Sequence, residues 1–169
     1  MLKTILIQLI GGIGFITLAT SYFKKTKSQI LYMQIIAYIF FTTHYFLLDG
    51  ITGALCNFIG LLALITIYLF DKYKLKNKMF ISMIFILILL ILNIISFQNI
   101  YSLFPMIASV IAIISFIDSS VNNIRIVGVI ATLCWLFYAV AYKSYISIIF
   151  EILTLINVSI AIIKNRRKI

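Results

Sequence analysis

Between Lys78 and Asp118 the chain runs for thirty-nine residues without a charged side chain. So apolar a segment belongs in hydrocarbon, yet at about 1.5 Å per residue it is too long for one helix crossing a core of about 30 Å. Two helices joined near Gln98-Asn99 satisfy the length, and this hairpin sets the pattern for the whole sequence. Apolar runs bounded by charges or turn residues give the spans Thr4 to Phe23, Gln29 to Leu48, Ile51 to Phe70, Met79 to Phe97, Tyr101 to Ile117, Ile124 to Tyr142 and Tyr145 to Ile163. With 64% hydrophobic and 11% charged residues, the 169-residue chain lies outside the soluble range. The fold class that follows is an all-α membrane protein of seven transmembrane helices, with no length left for a soluble domain.

Lysine and arginine are retained on the cytoplasmic side of short loops, and they divide very unevenly over seven spans. One side receives Lys24, Lys25, Lys27, Lys72, Lys74, Lys76, Lys78, Arg125, Lys164, Arg166, Arg167 and Lys168, and the other only Lys3 and Lys143. The split places the N-terminus outside and the C-terminus in the cytoplasm of a multi-pass membrane protein. A six-span arrangement would scatter the basic loops over both faces. The net charge of +10 flanks spans instead of forming a folded basic domain, so anionic membrane lipid is the expected contact and nucleic acid is not. Met1 to Thr20 has the outline of a signal peptide, but it pairs with a later segment, and the repeat argues against cleavage.

That repeat appears when the chain is shifted by 94 residues. Ser21 then meets Ser115, Ala37 meets Ala131, His44 meets Tyr138, Gly50 meets Ser144, Gly53 meets Ser147 and Asn57 meets Glu151. Each half holds a polar or basic loop, a span, a short turn at Asp49-Gly50 or Lys143-Ser144, and a further span. The chain therefore divides into repeat one over about 4–70, a linker helix over about 79–97 and repeat two over about 101–163. Two parallel three-helix repeats related by an axis along the membrane normal result, a plan in which solute sites lie between the repeats near mid-membrane.

Glu151 is the one carboxylate of four that no loop can accommodate. An ionisable group inside a span costs several kcal/mol unless it has a partner or a wet cavity, and so marks a functional site by default. The helical rise puts it about 9 Å below the outer boundary, within reach of an outward cavity. It is a candidate for solute binding or proton coupling, and a carboxyl that only fixes helix packing is the alternative. Asn57, at the matching depth, serves equally as a ligand to a solute or as interhelical glue. Trp135 and Tyr138 lie three apart on one helix face and offer rings to a flat solute. His44 and Gln8 complete the candidate set, although packing accounts for His44 as well. Pro105 in the first helix of the second half, and Gly11 at the equivalent place in the first, are candidate hinges.

Cys56 and Cys134 lie within spans and lack ligand spacing, so neither a disulfide nor a metal site is expected. One histidine, four acidic residues and scattered serines form no nucleophile with a base and orienter, so neither an enzyme nor a cofactor site is expected. Gly11 to Gly14 is no phosphate loop, since no strand or phosphate-binding lysine accompanies it.

Gln8 to Phe15 (QLIGGIGF), His44 to Asn57 (HYFLLDGITGALCN), Pro105 within its span, and Cys134-Trp135 followed by Glu151 resemble the bacterial YgjV-type inner membrane proteins over nearly the whole chain. More distantly, the three-one-three helix plan is similar to the superfamily of SWEET sugar transporters, PQ-loop transporters and KDEL receptors. That similarity implies seven helices with an extracytoplasmic N-terminus. The Pro-Gln pair of PQ-loop helices is absent, since Ile7 precedes Gln8 and Met106 follows Pro105. Ala139 stands where that pattern tends to have Asn, and Gly60 where it tends to have a basic residue. The functional expectation is a transporter of a small polar solute, sugar-like or amino-acid-like, working by alternating access. The alternative is a receptor or assembly scaffold whose basic Lys164 to Lys168 contacts a protein or lipid. Fused halves make a monomer sufficient, with a homodimer left open.

Overall fold

The computed structural model describes residues 2–117, 120–141 and 145–166. The described residues form seven α-helices and one short 3-10 turn, with no strand: α1 Leu2–Ser21, α2 Lys27–Leu47, α3 Ile51–Lys72, α4 Lys78–Ile95, the 3-10 turn Ile100–Ser102, α5 Leu103–Ile117, α6 Val121–Ala141 and α7 Tyr145–Arg166. Six apolar spans of 18 or more described residues are long enough to cross a membrane, one of them, Ile100–Ile117, formed by the 3-10 turn and α5 together, and α1 contributes the shorter Ile5–Ser21. The expected hairpin at Gln98-Asn99 falls between α4 and the 3-10 turn, where the Asn99 side chain accepts from the Tyr101 amide at 3.0 Å. The Lys143-Ser144 turn lies outside the described residues.

Local chemistry fixes the boundaries. Thr26 caps α2 by accepting from the Gln29 amide at 3.3 Å, satisfying one of the amides a helix start leaves open. After α2 the chain reverses at Asp49, whose φ of 58° is left-handed, a conformation that Asp and Asn tolerate better than other side chains with a Cβ. The Gly50 amide then donates back to the Tyr45 carbonyl at 2.9 Å, so α3 begins at once.

Neighbouring helices pack α1 on α2, α2 on α3, α3 on α5, α5 on α6, α6 on α7, and α7 back on α1. These six close a ring. α4 packs on α3 and α5 from outside it, and only 17% of its apolar window is buried, against 28–50% for the other full-length spans. The sequence explains this position: α4 has the highest hydropathy of the spans, and Met79, Phe80, Met83, Leu87, Ile91, Ile94 and Ile95 are all exposed. Such a surface suits lipid.

Two charged contacts tie the lysine-rich end together. Asp71, at the end of α3, meets Lys27 Nζ at 2.7 Å and Lys78 Nζ at 2.6 Å, joining the starts of α2 and α4. These groups are partly exposed, so Asp71→Asn is expected to cost no more than about 1 kcal/mol. A melting series in low and high salt in detergent checks this, the mutant and wild type converging as salt rises. Arg125 is different. It reads from sequence as a loop charge, yet it is 5% exposed, donating from Nε to the Tyr22 carbonyl at 2.9 Å and from Nη2 to the Lys24 carbonyl at 3.0 Å. It thereby ties the C-terminal end of α1, where a cation complements the helix dipole, to the N-terminal part of α6. Arg125→Met is expected to lower unfolding stability by about 2 to 4 kcal/mol through loss of two charge-assisted bonds. Arg125→Lys should recover little, because a single ammonium nitrogen cannot occupy both the Nε and the Nη2 positions; thermal unfolding in detergent measures both.

Candidate functional site

Inside the ring lies a cavity lined by residues of α1, α2, α3, α5, α6 and α7, together with Tyr22 beyond the end of α1, and by none of α4. It leaves about 40 Å³ for the centres of water-sized molecules, room for roughly three waters. Asn57 of α3 and Glu151 of α7 both face it, as does Trp135 of α6. Each of Asn57 and Glu151 enters its helix about six residues past the start, which sets the two at one level, about 9 Å in by the helical rise.

Glu151 is 4% exposed and makes no hydrogen bond or ion pair with any described residue. Two amides of the cavity wall are held by other groups of the protein. Asn57 Nδ2 donates one N–H to the Gly53 carbonyl at 2.8 Å, within its own helix. Gln34 of α2 donates through Nε2 to Ser21 Oγ at 3.4 Å, and that hydroxyl in turn donates to the Leu18 carbonyl at 2.6 Å. The relay fixes the Gln34 amide with Oε1 unpartnered among the described residues. Ser115 likewise gives its hydrogen to the Ala112 carbonyl at 2.7 Å. Among the described lining residues there is no Lys, Arg or His.

Aromatic rings close the lysine-poor end. Tyr45 stacks on Trp135 at 5.4 Å between ring centroids, and Tyr138 packs edge-on against Trp135 at 6.0 Å. Phe15, stacked on Phe150 at 5.1 Å and edge-on to Phe41 at 4.8 Å, continues the wall. From the level of Glu151 the lining runs along α6 and α2 to Ile124 and Tyr22, at the lysine-rich end. The expected outward route to Glu151 is therefore filled by rings, and the space lies on its other side.

The remaining candidates stand apart from the lining. Tyr138 supports Trp135 from behind. His44 is fully buried and turned toward α1, with Nδ1 at 2.9 Å from the Ile7 carbonyl; since a carbonyl only accepts, Nδ1 carries the proton. Its ring lies on Gly11, where an added Cβ would come within 2.7 Å of Nδ1 and Cε1. The two residues thus form one close helix contact. Gln8 is half-buried and does not line the cavity. Pro105 is the third residue of α5, within the first turn, where no amide bonds back inside the helix, so it does not interrupt the ladder as a hinge in the helix interior would.

The match to known proteins agrees with this architecture. A family model of bacterial inner membrane proteins, YgjV, matches residues 5–169. The chain belongs to the YgjV family. No curated protein and no solved structure matches it. In this YgjV-family protein the shift of 94 residues pairs part of the cavity lining: Leu18 and Ala112, Tyr22 and Phe116, Gln34 and Gly128, Tyr38 and Thr132, Phe41 and Trp135, and Asn57 and Glu151 are all lining residues. The same offset relates Ser21 and Ser115, each of which donates to a carbonyl three residues back, at 2.6 and 2.7 Å. Sequence reasoning named only three members of this wall. Gln34, a polar residue in mid-span, gave the clearest missed signal, and the tyrosines gave none, because their spacing does not distinguish a cavity from packing. Among the described residues no three of His, Cys, Asp and Glu come together to hold a metal, so hydrogen bonding, charge and ring contacts are the chemistry this wall offers.

Proposed function

We propose that this YgjV-family protein carries a small polar solute across the inner membrane by alternating access, with Asn57, Glu151 and Trp135 in its site. One observation carries the reading: a buried carboxylate without a partner faces a cavity that six helices enclose. Packing alone gives no reason to hold such a group at the wall of a void, whereas a transported solute supplies the missing partner only while bound. The offset pairs in the lining support two three-helix repeats around the cavity, and the place of α4 outside the ring suits a linker helix. The basic loops favour an extracytoplasmic N-terminus. A cavity with room for roughly three waters favours the small end of the polar solutes and fits a narrow state in a transport cycle, with a monomer sufficient and no catalysis involved.

Uptake by proteoliposomes tests the proposal. Vesicles containing the protein should accumulate or exchange at least one labelled solute from a panel of small amines, amino acids, polyols and sugars faster than protein-free vesicles do. Equal rates across that whole panel would favour the receptor or scaffold reading.

A further inference from the structure

The described wall of the cavity holds a carboxyl group but no cationic side chain, the hydroxyls of Tyr22, Tyr38, Tyr45 and Thr132 all being neutral, and that imbalance of charge points to the class of solute. Glu151, Gln34 Oε1 and Asn57 Oδ1 offer acceptor oxygens, and each amide gives one of its two N–H groups to the protein. A neutral solute such as a polyol would satisfy these oxygens but leave the carboxylate without a counter-charge in a low-dielectric site. A cation supplies both. Around the same space stand Tyr38, Phe41 and Trp135, whose faces attract an ammonium group and tolerate its alkyl part.

We infer that the cavity binds a small organic monocation of the alkylammonium class, its charged nitrogen at Glu151 and its carbon frame against the rings. The inference rests on the cavity being a solute site. Ethanolammonium suits the space available; a sugar exceeds it in this conformation.

Trp135 is the only tryptophan in the chain and lines the cavity, so its emission reports occupancy directly. The purified protein is titrated with ethanolammonium chloride at constant ionic strength, sodium chloride making up the difference, and separately with ethylene glycol, a neutral isostere. The expected result is a saturable change in emission with ethanolammonium and none with the glycol. Glu151→Gln should weaken the binding about 10- to 100-fold, the range for loss of a charge-assisted contact, and Glu151→Asp should recover part of it. Because the cation and glycol are compared on the wild type, a poorly folding variant does not remove the test. Equal responses to both ligands, unchanged in Glu151→Gln, would overturn the cation inference while leaving a solute site in place. No response to ethanolammonium would also overturn it, and solute uptake by proteoliposomes then decides separately whether the protein transports.

Discussion

Glu151→Gln is expected to abolish solute uptake while leaving the folded protein as stable as wild type, or slightly more so. A carboxylate that only held helices together would have donors around it, and its loss would leave them orphaned at about 1 to 3 kcal/mol each. Glu151 has no such bond among the described residues, and Gln34 and Asn57, which line the same cavity, each donate elsewhere, to Ser21 and Gly53. Replacing it with an amide of the same shape removes an unpaired buried acid, a change that is neutral or favourable when no partner is stranded. Uptake in proteoliposomes and thermal unfolding in detergent are to be measured on the same preparations. Early unfolding of Glu151→Gln beside a normal Asn57→Ala would contradict the site and make Glu151 a packing residue.

The second large effect is expected at Gly11. A Cβ there would lie 2.7 Å from His44 Nδ1 and Cε1 and 3.0 Å from Cγ. Cγ sits next to the backbone, so the ring cannot escape by rotating its tip. Moving it also breaks the 2.9 Å bond from Nδ1 to the Ile7 carbonyl, leaving a buried donor and acceptor unpaired. Overpacking and the lost bond together should cost Gly11→Val about 2 to 4 kcal/mol, well above the gain of under 1 kcal/mol from a better helix former. His44→Ala in the same chain should recover most of that loss, because it removes the group being struck, and the two changes would then be strongly non-additive. Melting of the single and double variants in detergent reads the coupling. Additive losses would mean that Gly11 is needed for flexibility instead of for the fit of the imidazole.

The helices were legible because the membrane imposes their length. Every expected span overlaps its observed helix, with ends displaced by no more than about three residues, since a charge or an Asp-Gly pair cannot be drawn into hydrocarbon without cost. Glu151 and Asn57 were legible for the related reason that a polar group stands out in an apolar run, and the offset of 94 residues linked them before any coordinates did. What lay beyond the sequence was facing. In a membrane helix the lipid side and the packed side are both apolar, so periodicity does not tell one from the other. Tyr22, Tyr38 and Phe41 therefore gave no sign that they line a cavity. Arg125 misled because its partners, the Tyr22 and Lys24 carbonyls, are backbone groups more than 100 residues away, and backbone acceptors leave no mark on a sequence. Pro105 was misjudged by a single turn: the 3-10 segment Ile100–Ser102 comes before α5, so the proline lies at a helix start and not in a helix interior.

The measurement that bears most directly on alternating access is two-sided labelling of Ala131→Cys, a lining position on α6, with Cys56→Ser and Cys134→Ala removing the native thiols. Sealed vesicles of each orientation are treated with a membrane-impermeant thiol reagent, with and without saturating ethanolammonium. A transporter exposes the cavity to each side in turn, so position 131 should be labelled from both faces and protected on both by the solute. Labelling from one face only, or from neither, would contradict the transport cycle and leave a sealed or one-sided bundle in its place.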